Sequence, residues 1–359
     1  MNAETLAEIV KSNTNIMPTG GRSKPALSGQ VPDQVLAVDM TQLAGIVEYE
    51  PDEYTITAKA GTSIKTLIDA VDANGQYLPF DPLLAEAGAT LGGTVAANTS
   101  GSGRFRYGGV RDFILGIRFV DGQGNIIRGG GKVVKNASGF DLPKFMVGSL
   151  GRYGILTEVT LKVFPKPAAY RTLELEFASL QDALDCTFAL ANQPFEMDAL
   201  DFQRVKRDEP ATKCWVRLGG LPESLSGRIE RLSTWLSKNT PAQTIAEKEN
   251  EADFWASINR IDWANSETNL IKVPVPPKKL RQLDQVDVIT AAHYFSAGNV
   301  ALVTADDLPG LDSSLTELSL NGQILRGTAD GPYLGERSWL ALAERVKRAL
   351  DPNRKFLPT

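Results

Sequence analysis

Cysteine and histidine are almost missing from this chain of 359 residues. Its two cysteines, Cys186 and Cys214, lie far apart and form no CxxC. Two thiols cannot hold an iron–sulfur cluster, which takes about four ligands. Their scarcity points to a reducing compartment rather than a disulfide framework. One histidine, His293, is present, and no metal site is expected. Positive charge is not in excess either: the net charge is −5. That argues against non-specific nucleic-acid binding, which needs a basic face. No run of about 18 apolar residues occurs, so no transmembrane segment is expected. Residues 1–13 carry acidic side chains and lack the apolar stretch of a secretory signal. These absences leave a soluble chain, expected in the cytoplasm and long enough for two or three domains.

What the chain does contain is clustered glycine. Between Ala87 and Gly103 there is no charge and there are five glycines. A backbone that must approach a ligand uses glycine, because a Cβ would collide or forbid the needed φ. Amides freed in this way can cradle a phosphate, with Thr and Ser hydroxyls as further donors. The alternative is a flexible Gly/Ser linker; Leu91, Val95, Ala96 and Ala97 read as packed, which weighs against it. Upstream, Ile16-Met17-Pro18 leads into Thr19-Gly20-Gly21-Arg22-Ser23-Lys24. This Gly-Gly turn can bind a diphosphate through its amides while Arg22 or Lys24 balances the charge; a hairpin tip is the other reading. Downstream, Arg104, Arg106 and Arg111 surround Tyr107-Gly108-Gly109, either facing an anion or ion-paired in a solvated loop. A triglycine at residues 129–131 then precedes Lys132, and a second glycine loop favours one shared ligand.

Leu6, Ile9 and Val10 predict a helix over residues 3–12. Strands are expected at 35–39, 45–49 and 54–60. Thr62 is placed to cap a helix with the stripe Ile64, Leu67, Ile68 and Val71, ended by Gly75. A hairpin follows, with strands at 113–120 and 126–128 across the turn at 121–125, and then a strand at 155–163. Pro165-Lys166-Pro167 reads as a domain boundary. Beyond it glycine loops become scarce. A strand at 173–177, a helix from Ser179 to about Asn192 and a last helix over 339–350 predict a smaller α+β domain with an antiparallel sheet.

Residues 18–23 and 90–94, in this order and spacing, resemble the Pro-x-Gly-Gly and Thr-x-Gly-Gly segments of the vanillyl-alcohol oxidase (PCMH-type) FAD-binding family. Residues 111–116, 135–142 and 146–158 are similar to the FAD-binding subunit family of bacterial glycolate oxidases. So is the ending Asp351-Pro352-Asn353-Arg354-Lys355-Phe356-Leu357-Pro358. The resemblance implies an α+β fold with a two-part PCMH-type domain over 1–168 and the smaller domain over 169–359, the last ten or so residues returning to the first. It implies FAD as cofactor, with Pro18, Thr19, Gly20, Gly21, Arg22 and Ser23 at the diphosphate. Thr90, Gly92, Gly93 and Thr94 would approach the diphosphate and ribityl chain, and Asn98 to Gly101 the flavin side. Lys135 and Asn136 match a family segment near the ring, and the Ile155 backbone would touch the cofactor. Many relatives attach FAD through His or Cys, but residues 1–167 contain neither, so non-covalent FAD is expected.

The implied activity is FAD-dependent oxidation of glycolate or a similar 2-hydroxy acid, as one subunit beside a second flavin subunit and an iron–sulfur subunit. Any contact with the inner membrane would be made through those partners. Two alternatives stay open: a self-sufficient FAD-linked 2-hydroxy-acid dehydrogenase, and an assembly subunit that keeps the fold without catalysis. Substrate oxidation needs a base for the hydroxyl proton. His293 is the one histidine available for it; in Ala291-Ala292-His293-Tyr294-Phe295 it also fits a packed core position. The ending Phe356-Leu357-Pro358-Thr359, where relatives have Phe-Asn-Pro-Gly, departs from the family pattern.

Overall fold

The computed structural model describes residues 1–29, 34–131, 140–204 and 212–358. The chain divides into two units. The first comprises residues 1–100, 108–166 and 337–359, the second residues 101–107 and 167–336. The sequence places the boundary after residue 168 and returns about ten residues. In the structure the returning segment starts at Arg337, and residues 101–107 of the glycine stretch join the second unit.

The first unit opens with α1 (Ala3–Ser12), whose Asn2 cap accepts from the Thr5 amide at 2.7 Å. Strands β1 (Ile16–Thr19) and β2 (Leu36–Asp39) pair in parallel. Then come β3 (Ile46–Glu50), β4 (Thr55–Lys59), α2 (Ile64–Asp72), β5 (Gln76–Tyr77) and α3 (Leu91–Ala97). Strands β6 (Ile114–Val120), β7 (Ile126–Gly130), β8 (Ile155–Lys162) and β9 (Phe164–Pro165) complete the described set. Their described residues form an antiparallel sheet in the order β3-β4-β8-β6-β7. The cap of α2 is Ser63, which accepts from the Thr66 amide at 3.0 Å. Thr62 is unavailable for that task, because its hydroxyl is bonded to the Gly45 backbone.

Leu6, Ala7 and Val10 of α1 pack with Ile16, Val38, Val120, Ile155 and Phe356 in one buried cluster. Phe356 arrives from the end of the chain. There the Asp351 carboxylate accepts from the Lys347 ammonium at 3.0 Å and from the amides of Lys355 and Phe356 at 2.8 and 2.9 Å. The Ile16 amide donates to the Lys355 carbonyl at 2.6 Å. Residues 351–356 therefore hold down the strand β1 that leads into the Gly-Gly loop.

In the second unit the described residues form an antiparallel sheet from β10 (Ala169–Phe177), β11 (Ala199–Arg204), β12 (Thr212–Gly220), β13 (Thr244–Glu247), β14 (Asn269–Pro274), β15 (Ile289–Phe295), β16 (Val300–Ala305), β17 (Asn321–Arg326) and β18 (Tyr333–Gly335). The order is β13-β10-β12-β11-β15-β16-β14-β17-β18. Ser179 caps the helix Leu180–Ala191. The fold is α+β. Cys186 and Cys214 are both free and buried. Burial pushes the Cys186 thiol up to about 12, and that of Cys214 well above its usual value. Of the three arginines after the glycine stretch, Arg106 is ion-paired with Asp198 at 3.1 Å.

Candidate cofactor site

Three backbone segments of the first unit line a cavity of about 320 Å³. They are the loop after β1, the start of α3, and the turn that enters β8. Pro18, Thr19, Gly20, Gly21, Arg22, Ser23, Thr90, Gly92, Gly93 and Ile155 are all in its wall. Thr94 is fully buried behind that wall, and Asn98 ends α3 in the left-handed region at φ 50. Gly101 falls in the second unit. Lys135 and Asn136 lie outside the described residues.

The sequence suggests that the amides of the Thr-x-Gly-Gly segment are free for a phosphate. In the structure they are already used. Leu91 donates to the Thr62 carbonyl at 2.8 Å and Gly92 to the Ala60 carbonyl at 2.7 Å. Gly93 donates to the Thr90 hydroxyl at 3.3 Å and Thr94 to the Thr90 carbonyl at 2.8 Å. The segment is helical, with Thr90 as its cap, which satisfies the amides that a helix start leaves over. What α3 offers the cavity is closeness. A Cβ at Gly93 would have only the Thr90 hydroxyl near it, at 3.0 Å, and otherwise open space.

Free donors are found instead in the loop after β1. The amides of Gly20, Gly21, Arg22, Ser23 and Lys24 donate to none of the described residues. Arg22 adopts φ 53 in this loop, so successive N–H groups can turn towards one centre, as in anion-binding nests. Gly21 packs backbone to backbone on Gly88, whose carbonyl a Cβ at Gly21 would overlap. The two glycine clusters thus form one wall. The third segment also has left-handed residues, Leu150 at φ 50 and Gly151 at φ 71. It docks on α3 through the Gly148 and Leu150 amides, which donate to Val95 and Ala96.

The two cations that the sequence leaves as alternatives have different surroundings. Arg22 is exposed, whereas Lys24 is 9% exposed. The Lys24 ammonium donates to the Ser23 hydroxyl at 3.1 Å. Burial pushes its pKa down to about 8. Among the described residues no carboxylate side chain lines the cavity. Ser149 lines the cavity, and its buried hydroxyl has no partner among the described residues. Free amides, a buried cation and an unpartnered hydroxyl fit the oxygens of a diphosphate. Sequence reasoning missed Ser149, Leu150 and Gly151, although the string Gly148-Ser149-Leu150-Gly151 carries the glycine signal.

His293 belongs to the core of the second unit. It is 0% exposed and its Nε2 lies 3.2 Å from Asp201 Oδ2. Trp215 and Trp263 stack on its ring at 6.0 and 5.8 Å. Asp201 also accepts from the Ser102 hydroxyl and, at 3.1 Å, from the Ser296 amide. Among the described residues no helix is long and apolar enough to cross a membrane, and no group of three or more His, Cys, Asp or Glu side chains is placed to hold a metal.

Residues 2–130 match the family described as FAD binding domain. More particular likenesses follow. The chain is 37% identical to the glycolate oxidase subunit GlcE of Escherichia coli (strain K12) over 64% of its own length and 63% of that protein's. It is 31% identical to a D-lactate dehydrogenase of Archaeoglobus fulgidus over 61% of its length and 50% of the other. These matches span about half to two thirds of the relatives. An alkyldihydroxyacetonephosphate synthase structure superposes with a TM-score of 0.72 at 17% identity, covering 99% of this chain and 75% of that one, a likeness of fold.

Proposed function

We propose that this chain is a flavoprotein subunit that binds FAD non-covalently and serves the oxidation of glycolate or a related 2-hydroxy acid. It would work beside a second flavin subunit and an iron–sulfur subunit. The observation that carries this reading is the run of free amides at residues 20–24 beside buried Lys24, inside the matched FAD-binding domain. Bound FAD supplies a hydride acceptor. The chain's own residues bind and position it. The Gly20–Lys24 amides would take the diphosphate, Gly93 would let it come close, and the Ser149 hydroxyl would add a donor. The first unit contains no histidine or cysteine to which a flavin could be attached.

Taking a proton from a substrate hydroxyl requires a base within roughly 2.6–3.2 Å. His293 is enclosed by aromatic rings and engaged with Asp201, so it is withheld from that task. This favours a subunit that relays electrons over a self-sufficient dehydrogenase. Anaerobic mixing of the yellow chain with glycolate or D-lactate is expected to leave the flavin oxidised, and to bleach it once the partner flavin subunit is added. Rapid bleaching of the chain by itself would overturn the relay role. A protein that takes up no flavin would overturn the cofactor assignment.

A further inference from the structure

We propose that Lys24 is the side chain that neutralises the FAD diphosphate, and that it couples cofactor binding to the uptake of a proton. This rests on the FAD reading of the cavity and deepens it. A buried ammonium is costly unless paired, and among the described residues no carboxylate lies within ion-pair distance of Lys24. Its hydrogen bond goes to the neutral Ser23 hydroxyl. Lys24 lines the cavity on the same loop as the free amides of residues 20–24, and its ammonium is bonded to the hydroxyl of Ser23, another lining residue, so one anion would answer both.

The other ionisable groups around it do not replace that anion. Arg22 on the same loop is exposed, and Asp39 at the end of β2 is exposed and bonded to Thr41. From the turn before β8, the buried Arg152 guanidinium donates to the Leu27 carbonyl at 3.1 Å, and half-buried Tyr153 is a neutral phenol with its pKa raised by burial. Apart from exposed Asp39, these groups add positive charge or none.

The coupling follows from linkage. Without ligand, burial alone holds the Lys24 pKa near 8. A diphosphate favours the charged form and raises that value. Between the two values the complex holds a proton that the free chain lacks. Binding therefore takes up protons above about pH 8 and weakens as pH rises, by up to about tenfold per pH unit.

The test is calorimetric titration of the FAD-free chain with FAD, and separately with ADP and riboflavin, between pH 6.5 and 9 in buffers of different ionisation enthalpy. Wild type should take up almost no proton at pH 6.5 and approach one at pH 9. ADP, which carries the diphosphate, should reproduce this, and riboflavin should not. Lys24→Gln should weaken FAD and ADP binding at pH 7 by roughly tenfold to a hundredfold and abolish the uptake. Lys24→Arg should retain binding without the pH dependence, because its guanidinium stays charged. Unchanged affinity, or unchanged proton uptake, in Lys24→Gln would overturn the inference while leaving the FAD site standing. Failure of wild type to bind FAD at any pH would overturn both.

Discussion

A side chain at Gly21 would run into the carbonyl of Gly88, whereas one at Gly93 would enter the cavity beside Thr90. The two substitutions should therefore fail differently. Gly21→Val separates the glycine clusters, and a loss of about 1–3 kcal/mol or more is expected in urea melts of the FAD-free chain. Gly93→Val should melt close to wild type and be purified colourless, with flavin content as the readout. In the sequence both positions are the second glycine of a Gly-Gly pair, and nothing local tells a loop that packs on a loop from a helix that faces a ligand. The difference is a long-range contact. Lys24 yields a second expectation. Its folded pKa lies below that of an unfolded lysine, near 8 against 10.5, so the unfolded chain binds more protons between those values. The penalty is fully present below pH 8 and fades as pH rises towards 10.5. Lys24→Met should stabilise the FAD-free chain at pH 7, by on the order of 2–3 kcal/mol, with the gain shrinking above pH 8 in denaturant titrations.

Several elements were legible because their punctuation is local. The Asn2-capped α1, the β6–β7 hairpin across residues 121–125 and the Ser179-capped helix were all readable from caps, turns and period. α3 was not. Its two glycines lower helix propensity by roughly 1 kcal/mol each, and its amides are completed by carbonyls of Ala60 and Thr62 that no local pattern announces. Between the neighbouring hydroxyls Thr62 and Ser63, the capping role was settled by Gly45, a distant backbone partner. The Asp351–Phe356 segment was visible as a string, but its work was not. Fully buried Asp351 holds Lys347, whose own pKa is lowered chiefly by burial. Asp351→Ala leaves that ammonium without its counter-ion. A loss of about 3–5 kcal/mol is expected, together with lowered flavin content, because β1 loses the strap that fixes the loop after it.

At the scale of the molecule, the α+β class and the antiparallel second sheet follow from the change of texture after Pro167. The interleaving of segments does not, since composition carries no record of which residues return. The first unit takes residues from both sides of the second, and β1 is tied at Ile16 to Lys355 and Phe356. A ribosome releases these partners some 340 residues apart. The loop that carries Gly20 to Lys24 therefore leaves the exit tunnel well before its anchor at Lys355 and Phe356 does. Flavin loading is consequently expected only after residues 351–356 have been made, and a product stalled before them would hold the glycine loop without its anchor.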